Sequence, residues 1–254
     1  MDRRCFEQRI FSGFAGYAEL LQGPDWPDIA ALNAQLAVQG KQFVVQDEAL
    51  LGDGLHYEQR IAQGRIATRA QNWHDLFNAL VWARYPAIKC ALNAQQCLHI
   101  AAMGTAQRNR AQAALTQFDE SGVIVRVRDP ALLSAWDRHD WMTLFDPRSW
   151  QQGDIAVCAV IGHALLEQAL LPGRLLVGKC IVVLGEGAAA CVARVAAAIG
   201  ERWVLAEPSE LRPLPLAGIP GWHAPQDAAF YQLRDYFRPL REGRTYPSVL
   251  SPGS

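Results

Sequence analysis

The chain has 254 residues, half of them hydrophobic, and its 24 basic and 25 acidic side chains give a formal net charge of −1. This composition is typical of a globular protein with a sizeable core, and it excludes general disorder and a strongly basic surface that binds nucleic acid non-specifically. The six cysteines form no CxxC pair, and no continuous hydrophobic leader or clean run of about 20 apolar residues occurs, so we expect a cytoplasmic protein without a membrane span.

The first part of the chain predicts helical and extended segments in turn. Apolar residues recur at helical spacing over 29–38, inside a helical N-terminal extension that we expect over 1–40. The segment KQFVVQDE is rich in strand-forming residues and predicts a strand. YEQRIAQGRIATR predicts two strands on either side of Gln63 and Gly64, and therefore a hairpin over 57–69.

Two adjoining helices are expected next, because their ends carry strong local signals. Asn72 can accept a hydrogen bond as an N-cap, and Asp75 lies in the first turn, where its negative charge suits the helix dipole. The residue before a proline avoids helical backbone, so the first helix should end before Pro86 and a second should run from there to about His99. A third helix is expected over 105–120.

The remaining segments alternate between strands and helices. SGVIVRVRDP predicts a strand, PALLSAWDRHDWMTLFD a helix, and DIAVCAVIGHALLEQALL a strand that passes into a helix near Gly162. KCIVVLGEGAAACVARVAAAIGERWVLAE predicts strand, helix and strand, followed by a proline-rich stretch, a short helix over 228–237 and an irregular tail over 242–254. We therefore expect a single α+β domain over 1–254, helix-rich, with a small sheet and the hairpin.

A glycine-rich turn near the C-terminus is similar to a dinucleotide-binding fingerprint. Gly185, Gly187 and Ala190 form G-x-G-x-x-A between a strand and a helix, and Glu207 ends the next expected strand. In the fingerprint the glycines admit a pyrophosphate and a distal acid binds the ribose. Glu186, however, would place a carboxylate beside the pyrophosphate, where like charges repel. A structural turn is the simpler interpretation, and nicotinamide or flavin dinucleotide binding remains an alternative.

Polar side chains are concentrated on the first of the two adjoining helices and on the helix after it. His74 and Asn78 are four residues apart and share the flank of a face that is otherwise apolar and aromatic. Lys89 and Asn93, also four apart, begin a second polar stripe. Two adjoining polar stripes predict a small-ligand cleft, with Trp82 beside Asn78 in its wall.

Several blocks of the sequence resemble one known family. They are YEQRI, GRIATRAQNWHDLFNALVWARYPAIKCALNA, TQFDESGVIV, IGHALLEQ, PLPLAGIPGWH and FYQLRDYFRPLR. Together they resemble the bacterial domain-of-unknown-function family 3025. The resemblance implies one family domain over about 57–241 in a proteobacterial cytoplasm, and it implies no particular activity.

A metal centre is one way in which the polar residues could act. His163 and Glu167, at i and i+4, can present an imidazole and a carboxylate from one helix face. With His74 or His223 as a third ligand, they could hold a divalent metal and leave a position open for water. Their other interpretation is structural, with His163 at a helix start and Glu167 exposed.

A hydrolase is the favoured function, because a hairpin followed by a helix that starts at His74 resembles the arrangement in compact nucleases. His74 would be the general base, with Asp75 or Asn78 orienting it or a metal. The substrate, carrying a phosphate or another anionic group, would contact Arg69, Lys89, Asn93 and Trp82. The alternatives are a non-catalytic module that binds a small molecule or a protein partner, and the dinucleotide protein.

Overall fold

The computed structural model describes residues 3–23, 25–185 and 187–251. Its helices are α1 (Ala18–Gln22), α2 (Ile29–Gln35), α3 (Glu48–Leu51), α4 (Tyr57–Ala62), α5 (Trp73–Arg84), α6 (Pro86–Met103), α7 (Arg110–Ser121), α8 (Pro130–Asp137), α9 (Trp141–Leu144), α10 (Pro147–Gln152), α11 (His163–Gln168) and α12 (Ala188–Gly200). Its strands are β1 (Gln42–Val45), β2 (Arg65–Thr68), β3 (Gly122–Val127), β4 (Ile155–Val160), β5 (Val177–Leu184) and β6 (Arg212–Pro215). Short 3₁₀ helices span Arg3–Glu7, Arg9–Tyr17, Pro208–Glu210, Leu216–Gly218 and Phe230–Gln232.

A four-stranded sheet with the order β4-β3-β5-β6 carries much of the core. β3 runs parallel to β5 and antiparallel to β4, and β5 pairs with β6 in the antiparallel sense. Every residue of β3 is buried, because strands flank it on both sides and α7, α8 and α12 pack against it. Arg126 is buried with the rest of the strand, and its guanidinium donates a hydrogen bond to the Gly153 carbonyl at 2.7 Å.

A second, smaller sheet contains β1 and β2, which run parallel. The hairpin predicted over 57–69 is therefore wrong: its first half is helix α4, and β2 pairs with β1 instead. His56 explains the helix, because its imidazole accepts a hydrogen bond from the Glu58 backbone, while the His56 backbone donates to the Gln59 side chain. Parallel strands need a crossover connection, which α3 and α4 provide.

The predicted boundary between α5 and α6 is confirmed. The Asn72 side chain accepts a hydrogen bond from the Asp75 backbone N–H at 3.0 Å, and Pro86 is the first residue of α6. α6 continues beyond the expected end to Met103, where Gly104 ends it with a positive φ of 80°. Local capping and proline signals thus decide where α5 ends and α6 begins.

Three other helices differ in extent from the prediction. The third helix begins only at Arg110, because Asn109 and Gln112 form a capping box there. The long helix expected from PALLSAWDRHDWMTLFD is divided into α8 and α9 at His139, whose φ of 55° is incompatible with a continuous helix. The helix expected over 228–237 is reduced to the 3₁₀ turn Phe230–Gln232.

The glycine-rich turn joins β5 to α12, and Gly187 adopts a φ of 78°. Glu186 lies outside the described residues. The strand expected after α12 does not form over 203–207. Glu207 instead pairs with Arg110 across 3.1 Å between Oε1 and Nε. The dinucleotide fingerprint is therefore incomplete, because the acid that would bind the ribose does not end a second strand.

One contiguous core of buried side chains connects the N-terminal segment, the helices and both sheets. Phe11 stacks on Phe77 with ring centroids 5.7 Å apart, and Phe14 meets Tyr85 edge-on at 6.2 Å, so the N-terminal segment packs on α5. With half of the chain in helices and 13% in strands, the predicted α+β class is confirmed. Within the described ranges, no helix combines the length and the apolar character that crossing a membrane demands.

Gly162, at the start of α11, lies against the end of α7, and a substitution there tests how closely the two helices pack. A Cβ at this position would lie 2.5 Å from Ser121 Cα and 2.7 Å from the Glu120 carbonyl oxygen. Because these are backbone atoms, we expect Gly162→Ala to lower the free energy of unfolding by about 1–3 kcal/mol in urea titrations. Gly200→Ala is the matched control, since a Cβ there meets no atom within 4 Å. Equal losses in the two variants would contradict the close approach.

Candidate functional site

A cavity of about 340 Å³ lies between α4, α5, α6, α7 and α11. All residues predicted to be catalytic or substrate-binding line it: His74, Asp75, Asn78, Arg69, Lys89, Asn93 and Trp82. His163 also lines the cavity, and Glu167 reaches it through a hydrogen bond to His74. His223, considered above as a metal ligand, lies apart from them in a second groove.

His74 is held between two side chains of α11. Its Nδ1 lies 2.9 Å from Glu167 Oε2, and its Nε2 lies 3.0 Å from His163 Nε2. His163 and Glu167 are one helical turn apart, so α11 contacts both nitrogens of the same imidazole. We call His74, His163 and Glu167 the His74 clamp. Because an ionised carboxylate can only accept, Nδ1 of His74 carries the proton that it shares with Glu167.

The clamp continues inward to a buried ion pair. Lys89 Nζ lies 2.5 Å from Asp119 Oδ1, and the lysine side chain is only 4% exposed. The second oxygen of Asp119 lies 3.9 Å from His163 Nδ1. A continuous row of polar groups, Glu167, His74, His163, Asp119 and Lys89, therefore leads from the surface into the cavity wall.

The two inner members of this row have shifted pKa values. Burial lowers the pKa of His163 to about 3, and the Lys89 ammonium adds to this effect, although Asp119 opposes it. Burial by itself would raise the pKa of Asp119, but the charge and hydrogen bond of Lys89, together with the neighbouring imidazoles, outweigh it and the pKa is lowered. His163 is therefore neutral and Asp119 ionised near neutral pH.

Asp75 and Arg69 are bound to each other. The Asp75 carboxylate accepts from the Arg69 backbone N–H at 2.6 Å, from Nε at 2.9 Å and from Nη2 at 2.8 Å. This hydrogen bonding raises the pKa of Arg69. Glu167, and not Asp75, is thus the carboxylate that orients His74, and the charge of Arg69 is largely neutralised before any anion arrives.

No hydrogen bond joins Asn78 to His74. Asn78 Nδ2 donates to the Tyr57 hydroxyl at 2.9 Å, while its buried Oδ1 has no partner in the described part of the chain. The indole Nε1 of Trp82 is likewise buried and without an acceptor among those residues. Asn78 therefore belongs to the cavity wall rather than to the His74 clamp, and the wall keeps unused hydrogen-bonding capacity.

Trp82 contributes an aromatic face to the same wall. The ammonium groups of Lys41 and Lys89 each lie 5.4 Å from the centre of its ring. Cations at this distance are attracted by the negative face of an indole. Lys89 is therefore held by both Asp119 and Trp82, and its ammonium is occupied by contacts within the protein and not free to bind a ligand.

Glu58 was missed by the sequence interpretation. Asn93 Nδ2 donates to its Oε2 at 2.7 Å and to its backbone carbonyl at 2.8 Å. Burial raises the pKa of the Glu58 carboxyl, with the Asn93 hydrogen bond opposing the shift. The residue was overlooked because the segment that carries it was interpreted as a strand. The helical spacing of Tyr57 and Ile61 is the signal that could have identified it.

Arg108 is a second residue that the sequence interpretation missed. It is exposed and lines the cavity in the segment between α6 and α7. Its charge lowers the pKa of Glu58 and of His56, although burial is the largest influence on both. Among the residues that the structure describes, Arg108 has no carboxylate partner, unlike Arg69 and Lys89.

The metal centre predicted at His163 and Glu167 does not form among the described residues. No three His, Cys, Asp or Glu side chains of those residues are arranged to hold a metal ion. Both predicted ligands bind His74 instead, and His223 is in the other groove. The i, i+4 spacing does place His163 and Glu167 on one helix face, but the group that both side chains contact is the His74 imidazole.

The buried neutral state of His163 predicts a dependence of stability on pH. Its pKa is about 3 in the folded protein and about 6.5 when unfolded. Between these values the unfolded chain binds more protons, so the free energy of unfolding should fall by up to about 1.4 kcal/mol per pH unit as pH decreases from 6.5. When the free energy of unfolding from urea titrations is plotted against pH between 6.5 and 5, it should fall less steeply for His163→Gln than for the parent protein. Identical slopes would show that His163 is not held neutral.

Comparison with known proteins assigns the chain to a family. Residues 41–241 match the model of a family described as protein of unknown function (DUF3025). The match begins earlier than the expected 57–241, so that it includes β1, and it spans every residue of the cavity. No curated protein and no solved structure matches the chain. The predicted resemblance is confirmed, and because the match covers most of its length, the chain belongs to the DUF3025 family.

Proposed function

We propose that the chain is a hydrolase and that His74 is the general base that activates water in the cavity. The His74 clamp is the observation that carries this proposal. The Glu167 carboxylate selects the tautomer with a lone pair on Nε2 and stabilises the imidazolium that forms when Nε2 takes a proton. This pairing of base and orienting acid is the arrangement that general-base catalysis needs.

The exposure of the two imidazoles indicates which of them meets the substrate. The side chain of His74 is 31% exposed, whereas that of His163 is 7% exposed. A water molecule can therefore approach His74, and it replaces the contact between the two Nε2 atoms when it binds. His163 remains neutral in this step and places no positive charge beside His74.

The substrate that we propose carries a phosphate or another anionic group. Arg69 and Lys89 are already paired with Asp75 and Asp119, which weakens their predicted role in anion binding. Arg108 keeps its charge available at the cavity surface, and an arginine fork binds phosphate and carboxylate oxygens well. The anionic group is thus placed near Arg108 and the scissile bond near His74.

A non-catalytic small-molecule-binding protein is the second candidate. It is favoured by unpartnered buried atoms in the wall, among them Asn78 Oδ1 and Trp82 Nε1. A ligand that offers a donor and an acceptor, after a small rearrangement, would satisfy both. For either function we propose the bacterial cytoplasm as the location. All six cysteines are free thiols, as expected in a reducing compartment.

Removing the imidazole of His74 tests the hydrolase directly. We expect His74→Ala to reduce kcat on an active member of a panel of p-nitrophenyl phosphate, phosphodiester and carboxylic esters by about 10²–10⁴-fold. Glu167→Gln should cause a smaller loss and shift the pH–rate profile, because it leaves the base in place without its charge partner.

His99→Ala, which changes an imidazole outside the cavity, is the control for these assays and should retain full activity. Circular dichroism checks that His74→Ala and Glu167→Gln are folded. Unchanged turnover in His74→Ala would overturn the proposal. Absence of turnover across the panel, with stabilisation of the parent protein by one of the same anions that Arg108→Gln abolishes, would favour the binding protein instead.

Arg108 gives a test of the substrate class. Arg108→Gln should raise KM for anionic esters by about tenfold or more, since a charge-assisted hydrogen bond is lost. KM for neutral esters should not change. Arg110→Gln is the matched control, because Arg110 pairs with Glu207 and does not line the cavity. Equal effects of the two substitutions would place anion recognition elsewhere.

A further inference from the structure

A second groove, of about 190 Å³, lies apart from the His74 cavity. Three segments form it: the start of the 3₁₀ helix Arg9–Tyr17, the turn over 169–176 that follows α11, and the proline-rich stretch over 216–223. The Gln8 side chain donates a hydrogen bond to the Ala169 carbonyl at 3.2 Å and ties the first segment to the second. The groove is therefore built from segments that are distant in sequence but hydrogen-bonded to each other.

Four side chains that line this groove, two arginines, a tryptophan and a histidine, have no hydrogen-bond partner among the described residues. Arg9 and Arg174 are exposed there, and neither forms an ion pair with a described carboxylate. The indole N–H of Trp222 and the ring nitrogens of His223 also have no hydrogen bond to any described residue. No Asp or Glu is among the residues that line the groove. Two positive charges thus meet no compensating negative charge, in contrast to Arg69 and Lys89 in the cavity.

The remainder of the lining is aromatic and aliphatic. His223 lies nearly parallel to Phe230, with ring centroids 4.7 Å apart and an interplanar angle of 21°, so its ring is fixed in orientation. Ile10, Leu176 and Leu216 supply apolar surface. An engineered protein cavity of about 150 Å³ holds one benzene molecule, so a groove of this size accommodates one aromatic ring.

We propose that this groove is a second binding site, and that its ligand is a small aromatic anion: one ring bearing a carboxylate or a phosphate. The ring packs against Trp222 and the aliphatic side chains, while the oxyanion accepts hydrogen bonds from Arg9 and Arg174. The site does not depend on the proposed hydrolase, because none of its lining residues belongs to the His74 cavity.

Isothermal titration with benzoate and with phenyl phosphate tests the site in the full chain. We expect at least one of them to bind, and the double substitution Arg9→Gln with Arg174→Gln to weaken that binding by about tenfold or more. Benzyl alcohol, which keeps the ring without the charge, and inorganic phosphate, which keeps the charge without the ring, should each bind much more weakly.

Two further variants separate this groove from the cavity and from the general surface. Arg234→Gln removes an exposed arginine that does not line the groove and should leave the affinity unchanged. Arg108→Gln, in the cavity, should leave the affinity for benzoate unchanged, and benzoate is used for this comparison because phenyl phosphate, an anionic ester, is also a candidate ligand of the cavity. The proposal is overturned if neither aromatic anion binds, if the double variant binds as tightly as the parent, or if inorganic phosphate binds as tightly as phenyl phosphate. Loss of benzoate binding in Arg108→Gln would assign the anion to the cavity and would equally refute a second site.

Discussion

A buried ammonium group is stable in a protein only when opposite charge and hydrogen bonds replace the water that it loses. Lys89 imposes this requirement on the present fold, because its side chain on α6 is almost completely buried. Asp119 of α7 supplies the opposite charge and a hydrogen bond, and the same carboxylate faces His163 of α11. His163 in turn contacts His74 of α5, which Glu167 holds from the other side. One buried charge thus fixes the relative positions of four helices around the cavity.

The His74 cavity and the second groove differ in whether carboxylates pair with their basic side chains. In the larger one Arg69 and Lys89 are neutralised by neighbouring carboxylates, which keeps the site polar without a large net charge. Polarity of this kind suits proton transfer, since imidazoles and paired carboxylates lie next to each other. In the second groove Arg9 and Arg174 have no acidic neighbour among its lining residues. The lining of this groove therefore suits the recognition of an anion.

Sequence alone was sufficient where the signals were local or periodic. The N-cap at Asn72 and the break before Pro86 depend on contacts within one helical turn, and both are confirmed. The i, i+4 spacing of His74 and Asn78 placed their side chains on a common flank, and the structure puts both in the cavity wall. The family membership was also evident from the sequence blocks and is confirmed. Periodicity identifies the face of a helix, and so it could identify the region of the site.

The partners of each side chain were decided by tertiary structure. His74 meets His163 and Glu167 across 89 and 93 positions of the chain, a distance over which no helical spacing carries information. Asp75 pairs with Arg69 because β2 delivers that arginine to the start of α5. The segment expected to be a hairpin is α4 and β2, because β1 offers β2 a partner edge and His56 caps the helix. The sequence by itself determined where α5 ends and α6 begins and which flank of α5 lines the cavity, because these follow from contacts within a turn or two. Which groups hydrogen-bond to one another depends on how separate elements pack, and that was settled only by the fold.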